Sequence, residues 1–208
     1  MAEPPPYDGI VLAGGGSTRL GRDKTRVDVG GRTALDRVLA ALCGATEVIV
    51  VGRRRPVHAP GMPLQWSSED PPGGGPAAGV VAALPLVHRP WVVVLAGDLP
   101  LVSTATVERL LALPASGADD PTYDGAVLVD ADGRRQHLTV ALRAERLREH
   151  AAGRDWHGAA MWSLLDGLTL AEVAAVGSET LDLDEPDDVD VVRQLDTSGS
   201  HPCKEDQT

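Results

Sequence analysis

Three short stretches of the chain are apolar without interruption: Gly9–Leu12, Val48–Val51 and Trp91–Leu95, each bounded by turn residues. Unbroken apolarity over four or five positions marks strands covered on both faces, as in a parallel sheet. Between them the period changes. Leu35, Val38, Leu39 and Leu42 recur at helical spacing and predict a helix over 33–42. The Ala-rich stretch 76–86 predicts a second, with Pro76 in its first turn, where proline is tolerated. Ser103 is placed to cap a third, which carries Val107, Leu110, Leu111 and Leu113. Strand, helix, strand, helix, strand, helix implies right-handed crossovers and an open sheet with helices on both faces.

The second half is less regular. Ala126–Val129 and Leu138–Leu142 read as strands around a polar turn, Asp130–Arg135. Helices are expected over 144–152 and 159–165, a strand over 168–176 and a short strand over Thr180–Leu183. Pro186 then opens a terminal helix through Leu195. The remainder, 196–208, is Ser, Gly, Pro and charge, and predicts a disordered tail behind a single domain over 1–195.

Composition narrows the classes. Hydrophobic residues at 43% and charged ones at 24% are ordinary for a globular domain. At 208 residues the chain should bury roughly 70% of its unfolded surface, enough to fold without a disulfide or metal staple. The formal charge of −11 argues against coating nucleic acid, whose phosphates must be met by basic residues. Cys43 and Cys203 make neither a metal spacing nor a disulfide framework, which fits a reducing cytoplasm. Met1–Pro6 lacks the basic and apolar regions of a leader, and no apolar run is long enough to span a membrane.

The chemistry concentrates after the first strand, in Leu12-Ala13-Gly14-Gly15-Gly16-Ser17-Thr18-Arg19-Leu20-Gly21-Arg22-Asp23-Lys24. Three consecutive glycines let the main chain approach a ligand and turn N–H groups toward an anion. The run is neither a Walker A loop, since Lys24 comes two residues late, nor a dinucleotide fingerprint, since position 19 is Arg. Arg19, Arg22, Lys24 and Arg26 fall within eight residues, opposed only by Asp23. Cations at the end of a glycine loop suit a triphosphate and the charge that develops when its α-phosphorus is attacked.

The pattern Leu-Ala-Gly-Gly-x-Ser-x-Arg-x-Gly-x-x-Lys resembles the signature of the sugar- and cofactor-nucleotidyltransferases. More closely, it resembles the molybdenum cofactor guanylyltransferases, the MobA-like enzymes. Asp70 followed by Gly75-Pro76-Ala77-Ala78-Gly79 matches a segment that borders guanosine in that family, where an acidic group can accept from the guanine N–H edge. Gly97-Asp98-Leu99-Pro100 matches its metal-binding Gly-Asp-x-Pro, and 180–188 matches its late Asn-x-Asn-x-Pro-Glu-Asp, with Asp182 and Asp184 in place of asparagines.

The resemblance implies a three-layer αβα, Rossmann-like nucleotidyltransferase fold with a mostly parallel central sheet. It implies that Leu12, Ala13, Gly14 and Gly15 meet the nucleotide through their main chain, with Asp70 and Gly75 beside the base. Arg19 and Lys24 would contact the phosphates, and Asp98 would hold Mg²⁺, making these three the catalytic set. Asp184 is either a second metal ligand or a helix cap. The implied reaction transfers GMP from GTP to molybdopterin or Mo-molybdopterin and releases pyrophosphate. Transient contact with molybdenum-insertion proteins or apo-molybdoenzymes would accompany it. Cytidylyl transfer to the same pterin, guanylyl transfer to phospholactate and a non-catalytic nucleotide-binding domain are the other readings.

The family's base-reaching asparagine after the second strand is replaced here by Val51-Gly52-Arg53, so contact from Val51 or Gly52 would be through main chain. Arg53–Arg55 reads as a solvated edge that could attract an anionic pterin. The histidines show no ligand spacing. Gln136-His137-Leu138-Thr139 aligns with a segment on the acceptor side, and the tryptophans read as packing residues.

Overall fold

Alternate residues of the buried strands face opposite layers, and this places the helices. In β1 (Tyr7–Leu12), Tyr7 and Val11 enter one apolar cluster and Ile10 the other. In β4 (Val48–Val51), Val48 and Val50 pair with the first cluster, Ile49 and Val51 with the second; β6 (Trp91–Ala96) divides likewise. Because both faces are buried, no polar alternation shows in the sequence. Each fully buried Val, Leu or Ile contributes about 1.5–3 kcal/mol relative to exposure. The computed structural model describes residues 4–14, 23–115, 122–183 and 186–196. Gly15, Arg19, Asp184 and the tail 197–208 therefore lie outside the described residues.

Helices α1 (Ala34–Ala41) and α3 (Thr104–Ala115) supply Leu35, Val38, Leu39, Val107, Leu110 and Leu111 to the first cluster. The second is covered by α2 (Gly75–Ala83), α4 (Ala144–Ala151) and α5 (Met161–Leu165). With β5 (Leu64–Ser67), β7 (Gly125–Val129), β8 (Arg135–Arg143) and β9 (Leu170–Ala174), the sheet has seven strands in the order β5-β4-β1-β6-β8-β7-β9. β1 pairs in parallel with β4 and β6, β5 with β4, and β9 with β7; β8 alone runs antiparallel to its neighbours. The result is a three-layer α/β/α fold. No helix among the described residues is long and apolar enough to cross a membrane.

A third, smaller cluster lies apart. A hairpin of β2 (Asp28–Val29) and β3 (Arg32–Thr33) packs Val27 and Val29 against Val189 and Val192 of α6 (Pro186–Asp196).

Capping follows the sequence. Thr33 and Asp36 exchange bonds in a capping box at the start of α1, while Ser103 Oγ accepts from the Thr106 amide at 3.3 Å. One element expected from sequence does not form. Thr180–Leu183 is not a strand: the Leu181 amide bonds Ser178 O at 3.0 Å in a turn, and Leu183 is buried in the third cluster instead of joining a sheet.

Candidate active site

The central strands end at one level, and their ends are stitched together. Ala13 N donates to Val51 O at 2.8 Å, Gly97 N to Leu12 O at 2.9 Å and Gly52 N to Ser67 O at 2.9 Å. That crowding dictates glycine. Gly52 has φ of +140°, and a Cβ there would meet Ala13 C and Gly14 N at 2.9 Å. At Gly97 a Cβ would lie 3.1 Å from Leu12 O. Gly14 differs: among the described residues a Cβ there would find nothing closer than 3.7 Å.

Above these strand ends opens a cleft of about 1120 Å³, as expected at the carboxyl ends of strands in an open α/β sheet. Leu12, Ala13, Gly14, Lys24, Gly75 and Asp98 all line it. Lys24 opens a short 3-10 turn, Lys24–Arg26, capped by Asp23, whose Oδ1 accepts from the Thr25 amide at 3.1 Å and from Thr25 Oγ1 at 2.6 Å. Asp98 comes just after β6, where the apolar run ends. Lys24 Nζ stands 4.0 Å from Asp98 Oδ2, with the side chains only 15% and 25% exposed. Opposite charges so placed leave room for an oxygen between them.

The opposite wall is the start of α2. Gly75, at φ +86°, passes so near the Ala159 carbonyl that a Cβ would sit 3.1 Å from it. Gly79 brings the helix onto β1, with a Cβ site 3.2 Å from Leu12 Cδ2. Asp70 is exposed and does not line the cleft, whereas its neighbour Glu69 does and accepts from the Gly73 amide at 3.1 Å. Glu69 was open to sequence reasoning as the adjoining acid of the same loop.

Arg55 departs from the expected solvated edge. Arg53 and Arg54 are exposed, but the Arg55 side chain is 16% exposed and bonds into the stem of the glycine loop, because three acceptors of that loop face it. No sequence signal marked it, since those acceptors lie 30 or more positions away. On β8, Leu138 lines the cleft and Thr139 is buried, while burial, aided by the Arg135 charge, pushes the His137 pKa down.

No group of three or more His, Cys, Asp or Glu among the described residues is arranged to hold a metal. A magnesium ion bound beside phosphates takes only one or two protein carboxylates, so Asp98, the cleft carboxylate just after β6, fits that requirement without a larger cluster.

A family model described as the MobA-like NTP transferase domain matches residues 9–174. A Synechococcus elongatus protein named probable molybdenum cofactor guanylyltransferase is 32% identical over 107 residues, 49% of this chain and 55% of that protein. The chain thus spans about half the length of that curated relative. A Bacillus cereus protein of the same name is 31% identical over 148 residues, 69% of this chain and 70% of its own. Among solved structures, molybdopterin-guanine dinucleotide biosynthesis protein A from Archaeoglobus fulgidus shares the fold with a TM-score of 0.68 at 20% identity, covering 92% of this chain and 100% of that one. The family match runs from β1 through the end of β9 and takes in the whole strand-end cleft. The chain belongs to the MobA-like NTP transferase domain family.

Proposed function

We propose that the protein transfers GMP from GTP to molybdopterin or Mo-molybdopterin, forming the guanine dinucleotide cofactor and releasing pyrophosphate. One observation carries the reading: a lysine from the turn that closes the glycine loop and a carboxylate just after β6 stand 4.0 Å apart in a cleft also lined by Leu12–Gly14. The names of the Synechococcus and Bacillus relatives support the choice of nucleotide and acceptor.

In this scheme an oxygen of the pterin's terminal phosphate attacks the α-phosphorus of GTP. The bond to the bridging β-phosphate oxygen breaks and pyrophosphate leaves with that electron pair. Such transfers need positioning and electrostatic stabilisation rather than a protein nucleophile. Lys24, with Arg19, meets the developing charge on the phosphates. The main chain of Leu12, Ala13, Gly14 and Gly15 orients the nucleotide, with Gly75 bordering it. Asp98, joined by Asp184, would hold Mg²⁺, which when bound neutralises triphosphate charge. The guanine N–H edge falls to the acids of the loop that holds Asp70, of which Glu69 is the one that lines the cleft.

The test is pyrophosphate release with ATP, CTP, GTP and UTP, each with and without molybdopterin. Release from GTP alone among the four, and only with the pterin, is the expected result. Release from CTP in its place would reassign the nucleotide. Binding of GTP with no release in any mixture would make this a nucleotide-binding domain without catalysis.

A further inference from the structure

All three guanidinium nitrogens of Arg55 donate to acceptors within the protein. Its Nε donates to Arg53 O at 3.1 Å, and one terminal nitrogen donates to Ala13 O at 3.0 Å. The other terminal nitrogen donates to Thr25 Oγ1 at 2.6 Å and forms an ion pair with Asp23 Oδ2. Thr25 Oγ1 in turn donates to Asp23 Oδ1, closing a ring of three side chains around the turn that begins at Lys24. Arg55 therefore ties the loop after β4 to both sides of the glycine loop: to Ala13 where the loop leaves β1, and to Asp23 and Thr25 where it ends. Lys24 sits between the last two.

We infer that Arg55 is a positioning residue for Lys24 and a neutralising partner for Asp23, so that the turn closing the glycine loop offers an anionic substrate a directed lysine beside a compensated acid. The inference rests on the phosphate role proposed above for Lys24. The geometric half follows from the donor inventory. A planar guanidinium can serve four acceptors spread around its edge, which an ammonium with three donors on one atom cannot match. The electrostatic half follows from the lining of the cleft. Asp23 belongs to it, and a bare carboxylate there would repel a triphosphate.

Three variants separate the two halves: Arg55→Ala, Arg55→Lys, and Arg55→Ala combined with Asp23→Asn. Pyrophosphate release is measured as kcat and as KM for GTP, and amide exchange is followed over residues 23–27. Arg55→Ala is expected to lower kcat about tenfold or more, as misplacement of a catalytic group does. It should also raise KM several-fold and speed exchange of the Thr25, Arg26 and Val27 amides while β6 stays protected. Arg55→Lys should restore KM toward the original value, because the charge remains, but not kcat. Adding Asp23→Asn to Arg55→Ala should likewise lower KM without recovering kcat.

Unchanged kcat and unchanged exchange in Arg55→Ala overturn the positioning role, as does exchange that rises equally over β6. A KM insensitive to Asp23→Asn in the Arg55→Ala background overturns the neutralising role. Should the unaltered protein release no pyrophosphate, the reaction assigned above fails, while the exchange measurement still decides whether Arg55 holds the turn.

Discussion

At the separation of 4.0 Å, Lys24 and Asp98 are too far apart for a direct hydrogen bond and close enough to share a ligand oxygen. A pair held open in this way contributes little to stability but a good deal to binding charge that appears only during reaction. Lys24→Ala should therefore leave the unfolding midpoint in urea nearly unchanged while turnover falls by ~10²–10³. Turnover near the original level in a folded Lys24→Ala protein would remove lysine from the phosphate site. Part of the cleft was visible in the sequence because it ends or follows a continuous apolar strand: Leu12–Gly14 at the end of one, Asp98 just after another. Arg55 was not visible. Three arginines in a row look solvated, and nothing local distinguishes the one whose acceptors come from another part of the chain. Asp70 and Glu69 show the same limit at finer grain, since which of two adjacent acids turns inward is settled by the loop and not by composition.

Elements were legible in proportion to how much of their burial is one-dimensional. β4 has the range its apolar run implies, Val48–Val51. β5 was missed because Leu64-Gln65-Trp66-Ser67 is half-buried throughout and lies on the sheet edge, so it carries no continuous apolar signal. The two-residue strands β2 and β3 are too short for any period. At the far side of the sheet, Asp124 joins three elements. Its carboxylate accepts from Arg146 Nε of α4 at 2.8 Å and from the Thr169 amide before β9 at 2.9 Å, at the mouth of β7. Burial pushes its pKa up, but the hydrogen bonds from Arg146 and Thr169 and the charges of Arg146 and Arg143 outweigh that and hold it below the ordinary value. A lowered carboxylate pKa adds stability that is full above the unfolded value of ~3.9 and is lost as pH falls through the folded one. Asp124→Asn should accordingly be less stable than the unaltered protein near neutrality, with the gap narrowing below about pH 4. Urea titrations across that range read the convergence directly, and a gap that stays constant with pH would show the ionised form of Asp124 to be dispensable.

Over the whole molecule, two features bear on the cleft from outside it. The chain is acidic, at −11, whereas the cleft sets Lys24, Arg53, Arg54 and Arg55 against Asp23, Glu69 and Asp98, so this face opposes an approaching anion less than the molecule as a whole does. The second feature is the small third cluster, in which Val27 and Val29 beyond the Lys24 turn meet Leu183, Val189 and Val192 from the far end of the chain. Arg193 adds a bond to Asp28 O at 3.2 Å. The hairpin and α6 thus hold each other against the site, apart from the two clusters that sandwich the sheet. Leu183, fully buried, is the residue whose loss tests this division. Leu183→Ala removes a large side chain from a core with few members, for which a cost of about 2–5 kcal/mol is usual. If the third cluster opens as its own unit, that cost appears as faster amide exchange over residues 27–34 and 186–196, with β1 and β6 still protected. Turnover should fall as well, since Lys24 loses the support of the hairpin that follows it. Equal loss of protection in β6 would mean instead that hairpin, helix and sheet unfold together, and the brace would have no independent hold on the lysine.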